Sequence, residues 1–260
     1  MDISLESNTL VDSLIGAHAK LRIAFSGIRF DSRPPRERLF LVTFLLIYSN
    51  IASWCVLFKL GQYSQAKVIL RTIIESYADL INLRNRTSYG ERLQYSLALN
   101  EFKILKRLIA MRNSVDEAGM ARLAFLQNNI DAAKKNGVSK LLVKEKFELA
   151  DLLDYYDGAY SHWSSYAHND CTGALFDCDR TDVAVVDIHH YRRTNHDMNF
   201  AQVSVACDVL VTSAHLMGVF IGGYEESVYG MFCADSELIR AHLAEVLIST
   251  TAKDNTRKAD

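Results

Sequence analysis

The chain of 260 residues contains two prolines, and they stand side by side at Pro34 and Pro35. Proline cannot continue a helix and also restricts the residue before it, so this pair ends one helical segment and everything beyond it lacks the strongest helix breaker. Glycine supplies only 12 positions and hydrophobic residues make up 49%, which disfavours turn-rich all-β folds and leaves ample material for a core. The expected fold is therefore all-α, a single multi-helix bundle of about eight helices. Apolar periodicity places them at about Ser7 to Phe30, Arg36 to Leu60, Ser64 to Asn85, Glu91 to Arg112, Val115 to Lys135, Lys144 to His168, Asn199 to Gly222 and Ser236 to Thr250. Gly61 is placed to close the second. Near 170–197 the helical period fails, and Val183 to Ile188 reads as a short extended piece. No linker divides the chain, so residues 1–250 are expected to form one helical domain, with 251–260 a frayed polar tail.

Leu39 to Phe58 is a run without a charge, preceded by Arg33, Arg36 and Arg38. It is long enough to span a bilayer. Its polar residues Thr43, Ser49, Asn50 and Ser53 fall near one stripe, and the other long apolar segment, Ala201 to Tyr224, carries Asp208 and His215, so a second membrane-compatible span is not expected. A helix enclosed by other helices needs the same apolarity, so a buried helix of a soluble protein is expected and a membrane partner is not. The opening ten residues are polar and acidic, unlike a secretory signal. The five cysteines show no CxxC pair, and free thiols in a reducing cytoplasm are expected.

The net charge of −2 gives no global attraction to nucleic acid, but the charge is uneven. Arg84, Arg86, Arg92, Lys103, Lys106, Arg107 and Arg112 face only Glu91 and Glu101 within their segment, while ten acidic residues between Glu145 and Asp187 face only Lys146 and Arg180. Such segments attract one another inside a fold or solvate two faces, and a basic groove for phosphate is the less common outcome.

Two polar stripes are candidates for a site. On the third helix Arg71, Glu75, Asp79 and Asn82 recur on one side, distinct from the apolar stripe of Leu70, Ile73, Tyr77, Leu80 and Ile81. On a solvated face Arg71 and Glu75 would form an intrahelical ion pair worth about 0.2–0.5 kcal/mol. Between helices the same residues would form a network needing partners from elsewhere. The segment from Tyr155 to Asp170 can supply them, with Tyr156, Tyr160, Trp163 and Ala167 on an aromatic face beside Asp157, Ser161, Ser164 and His168. Five of eight histidines (His162, His168, His189, His190, His196) cluster in this part of the chain.

No HExxH or other two-histidine helical spacing is present, nor a GxSxG elbow, nor a glycine-rich phosphate loop. Neither a metal nor a cofactor is therefore expected. The stretch from Ala66 through Arg71 to Glu75, followed by Tyr160-x3-Ser164-x3-His168-Asn169, resembles an uncharacterised bacterial family of all-helical domains that carry an arginine-x3-glutamate helix and a later tyrosine, serine and histidine. It is more loosely similar to the HEPN class of helical ribonucleases of toxin and antiphage-defence systems. That class sets arginine and histidine a few residues apart on one helix, whereas Arg71 and His168 here would meet across helices.

Two readings follow. As a metal-independent ribonuclease, the protein would use His168 to move a proton, Arg71 to stabilise charge on the phosphoryl oxygens, Glu75 to orient Arg71 and Tyr160 to support the site, with RNA as partner. As a non-enzymatic interaction or scaffold protein, it would use Arg71, Glu75, Tyr160 and His168 as a buried network fixing helix register, its partner being another protein or a second copy of itself.

Overall fold

A computed structural model describes residues 3–25, 34–112, 117–167 and 196–221. Within them the chain is all-α. The helices are α1 (Ile3–Phe25), α2 (Pro35–Lys59), α3 (Tyr63–Asn85), α4 (Tyr89–Arg112), α5 (Glu117–Lys135), α6 (Val143–Leu149), a π-helical segment (Tyr155–Tyr160) that runs into α7 (Ser161–Ala167), and α8 (His196–Ile221). The expected helix at Ser236 to Thr250, the polar tail, the segment 170–195 and His168 lie outside the described residues.

Local chemistry accounts for the helix ends. Pro35 opens α2, where its missing N–H would have had no intrahelical partner. Gly61 closes the same helix at φ 70°, and the Gln62 N–H reaches back to the Leu57 carbonyl at 2.9 Å. Gly137 ends α5 in the same way, with Val138 N–H on the Ala133 carbonyl at 3.0 Å. α6 ends on an identical arrangement built on a non-glycine residue: Asp151 has φ 58°, and Leu152 N–H meets the Phe147 carbonyl at 2.9 Å. The expected continuous helix from Lys144 to His168 is therefore broken after Leu149. Aspartate tolerates the left-handed region better than most residues and so carries a stop that contains no glycine.

α3 is the centre of the packing. It pairs with α2 through the short turn at 60–62, and it also contacts α8, α6, the π segment, α7 and the start of α4. Phe40, Phe44, Ile47, Ile51 and Trp54 of α2, Leu70, Ile73, Ile74 and Ala78 of α3, and Val203, Ala206 and Leu210 of α8 are buried in one core with Leu10 and Leu14 of α1. Each large side chain removed from water here contributes about 1.5–3 kcal/mol. Arg36 Nε and Nη2 donate to the Leu83 and Arg84 carbonyls at 2.7 and 2.5 Å, satisfying the C-terminal end of α3 from the start of α2.

Two expectations for the apolar helices need correction. α2 is not enclosed all round: Thr43 is buried, but Val42, Leu46, Ser49, Ser53 and Val56 are exposed among the described residues. A second helix, at Ala201–Val219 within α8, is also long and apolar enough to cross a membrane, as α2 is. Both helices contribute to the same core. Cys55 and Cys207 are buried free thiols, and burial pushes each up to about 12, so neither ionises near neutral pH.

Candidate functional site

Four helical turns of α3 carry the polar ladder, from Lys67 through Arg71 and Glu75 to Asp79, each four residues from the last. Its partners come from three directions: α7 and the π segment, α6, and the first residue of α4. Arg71 Nε donates to Ser164 Oγ at 2.9 Å and Arg71 Nη2 to the Tyr160 hydroxyl at 2.7 Å. That hydroxyl lies 3.3 Å from Glu75 Oε2 and donates to it. Lys146 Nζ bridges Glu75 Oε1 at 3.1 Å and Asp79 Oδ2 at 3.0 Å. The Tyr89 hydroxyl donates to Asp79 Oδ1 at 2.5 Å.

The structure thus brings together three of the four expected residues, Arg71, Glu75 and Tyr160, and the fourth, His168, lies outside the described residues. Arg71 and Glu75 do not pair within α3. Tyr160 stands between them and Lys146 takes the other oxygen of Glu75. The π segment aims this tyrosine. Its wider turn, marked by the Ser161 N–H bonding the Tyr156 carbonyl, stacks Tyr156 on Tyr160 with ring centroids 5.4 Å apart and packs both on Phe147 of α6. Single π-helical turns of this kind are frequent at functional sites.

Burial sets the electrostatics. Asp79 is raised above the ordinary carboxyl value by loss of solvent, with Lys146 and Tyr89 opposing the rise. For Lys146 burial favours the neutral amine, but Asp79 and Glu75 together outweigh it and hold the ammonium above its ordinary value. The Tyr160 and Tyr89 phenols are raised by burial and then by the carboxylate each one faces.

Lys67, Tyr89 and Lys146 were not among the sequence candidates. Lys67 stands one turn before Arg71 on the same stripe, so the spacing rule applied one turn earlier would have found it. It is fully buried and donates to the Tyr166 hydroxyl at 3.0 Å, with its Nζ 4.2 Å from that ring's centroid. Lys146 was hidden as one base in an acidic run. Among the described residues no group of three or more His, Cys, Asp or Glu is placed to hold a metal ion. Of the clustered histidines only the His162 side chain is described, edge-on to Tyr166.

The basic segment from Arg84 to Arg112 divides in two. Its start meets the acidic run: Arg92 Nη2 pairs with Glu145 Oε1 at 2.6 Å and Arg86 donates to the Leu149 carbonyl. Lys103, Lys106 and Arg107 stand further along α4 and line a groove against α5. At the rise of an α-helix, Lys106 is roughly 25 Å along the axis from Tyr89, where α4 meets the ladder. These cations do not border the Arg71 site.

Residues 37–183 match a family described as "Family of unknown function (DUF5677)". No curated protein and no solved structure matches the chain.

Proposed function

Since the chain belongs to DUF5677, a family of unknown function, we propose its role from the site itself: a non-enzymatic helical interaction protein, in which the α3 ladder is a polar clasp that fixes α6, the π segment and α7 on α3. One observation carries this reading. All four carboxylate oxygens of Glu75 and Asp79 accept a hydrogen bond from Lys146, Tyr160 or Tyr89, so both carboxylates are engaged by side chains that tie α6, the π segment and the start of α4 to α3. A part-buried network of this kind specifies register, because a slip of the helices leaves a charge unpaired.

A ribonuclease is the second reading, and Arg71 is what favours it. It is part-exposed, and among the described residues its third guanidinium nitrogen, Nη1, meets no hydrogen-bond acceptor, which leaves one edge to meet a phosphoryl oxygen. The deciding experiment pairs an RNA cleavage assay with thermal melting for the wild type and for Arg71→Ala and His168→Ala. The clasp predicts no cleavage and a lowered melting temperature for Arg71→Ala. Cleavage by the wild type that persists in chelator and is lost in a His168→Ala protein of unchanged melting temperature would overturn it.

A further inference from the structure

Beyond Ser96 the hairpin of α4 and α5 leaves the core. From Leu97 to Met111 no side chain of α4 is buried, although the segment is rich in leucine, isoleucine and methionine, and Ile104 and Met111 are 60% and 80% exposed. Helices in water usually hold their apolar positions against something, and an unburied stretch of this size marks a contact surface. One side of the hairpin is a shallow groove of about 490 Å³ with Phe102 and Ile130 in its floor. Among the described residues four cations line it, Lys103, Lys106 and Arg107 from α4 and Lys134 from α5, and no carboxylate does. The nearest acidic group on that stretch of α5, Asp131, accepts from the Gln127 amide.

We propose that this groove docks an acidic amphipathic helix of a partner protein, its apolar stripe on Phe102 and Ile130 and its carboxylates against the four cations. Each alternative fits less of what is there. A small molecule would stay largely exposed in so open a trough. Nucleic acid would use the cations and could stack a base on Phe102, but it has no need of the aliphatic Leu99, Ala110 and Ile130 beside it. A two-fold related copy would set cations against cations, since an isologous contact repeats the same patch on both sides. An acidic helix laid in the groove uses both features, with charge giving orientation and the apolar stripe giving area.

The proposal rests on the reading of the chain as an interaction protein. It is tested by titrating the full chain into a fluorescent Leu/Glu amphipathic peptide of about 18 residues, five helical turns, and reading anisotropy. A Leu/Lys counterpart, a single-stranded RNA and vesicles containing phosphatidylglycerol serve as competing probes. The expected result is saturable binding of the acidic peptide alone, weakened about tenfold or more by Lys106→Glu with Arg107→Glu and by Phe102→Ala. Phe125→Ala, in the groove on the other side of the hairpin, should leave binding unchanged. Absence of peptide binding overturns the proposal. So does tighter binding of RNA that ignores Phe102→Ala, uptake by the vesicles, or self-association in sedimentation that Phe102→Ala abolishes. The substituted groove side chains lie outside the main core, and melting curves verify that each variant is folded. An RNA cleavage result that overturned the clasp would leave this titration standing, so the two failures are distinguishable.

Discussion

Lys146 sits between Glu75 and Asp79 with its side chain 11% exposed, which makes it, among the described residues, the one cation holding two carboxylates in the ladder. Lys146→Met would strand those charges at a site with little access to water, and losing one partner of a buried pair typically costs about 3–5 kcal/mol. The check is chemical denaturation, and a loss below about 1 kcal/mol would mean that the cluster is effectively solvated. The same residue sets an alkaline limit. Its folded pKa lies above its ordinary 10.5, so the stability it gives is complete below 10.5 and is lost as pH rises through the folded value. Tyr89 and Tyr160, also raised above their ordinary 10.0, act in the same direction from about pH 10 upward. Melting temperature should fall from about pH 10, and less steeply in Lys146→Met than in the wild type. Arg71→Ala should cost about 1–3 kcal/mol by leaving the Tyr160 hydroxyl and Ser164 short of a donor. If neither stability nor any assayed activity changes, the stripe is only surface. The Arg71, Glu75 and Asp79 stripe was legible in the sequence because helical spacing alone assembles it. Lys146 and Tyr89 were not, because their place depends on how α6 and α4 return to α3, and spacing within one helix carries no such information.

Among the elements, α2 to α5 could be read from periodicity to within a few residues, since Pro35 opens α2, Gly61 separates α2 from α3 and Gly137 follows α5. The stop after α6 could not be read, because Asp151 stands where Gly61 and Gly137 stand at the ends of α2 and α5. A residue with a Cβ held at φ 58° pays a steric cost that glycine does not. Asp151→Gly should therefore stabilise the protein by up to about 1 kcal/mol, a rise of roughly 2–4 °C in melting temperature for a chain of this size. Asp151→Val should destabilise it, since a β-branched residue is least tolerant of that backbone. Equal melting temperatures for the three proteins would show that the turn is not held at positive φ in solution. The π segment was equally invisible, since its extra residue per turn leaves the aromatic spacing of Tyr156, Tyr160 and Trp163 compatible with an ordinary helix. Its effect is to place Tyr160 between Arg71 and Glu75, so the irregular turn and the clasp are one feature.

At the scale of the molecule, composition alone left open whether α2 crosses a bilayer, because a core helix and a spanning helix are equally apolar. The packing of its neighbour bears on the choice. α3 returns beside α2 through the short turn at 60–62, so any depth given to α2 is given to α3 as well. α3 carries Lys67, Arg71, Glu75 and Asp79 along its middle turns, and Lys146 is tied to them from α6. Each charged residue carried to the centre of a bilayer costs about 2.5–3.5 kcal/mol even on permissive scales. The apolar outer stripe of α2, with Val42, Leu46 and Val56 half exposed or more, offers far less area than a full span to offset that sum. The expected outcome is recovery of the full chain in the supernatant after ultracentrifugation of a detergent-free lysate. A pellet that resists high salt and yields to detergent would contradict it. In that case α2 would have to part from α3, and proton exchange of the Arg36 side chain, which is bonded to the Leu83 and Arg84 carbonyls in the packed form, would show the separation directly.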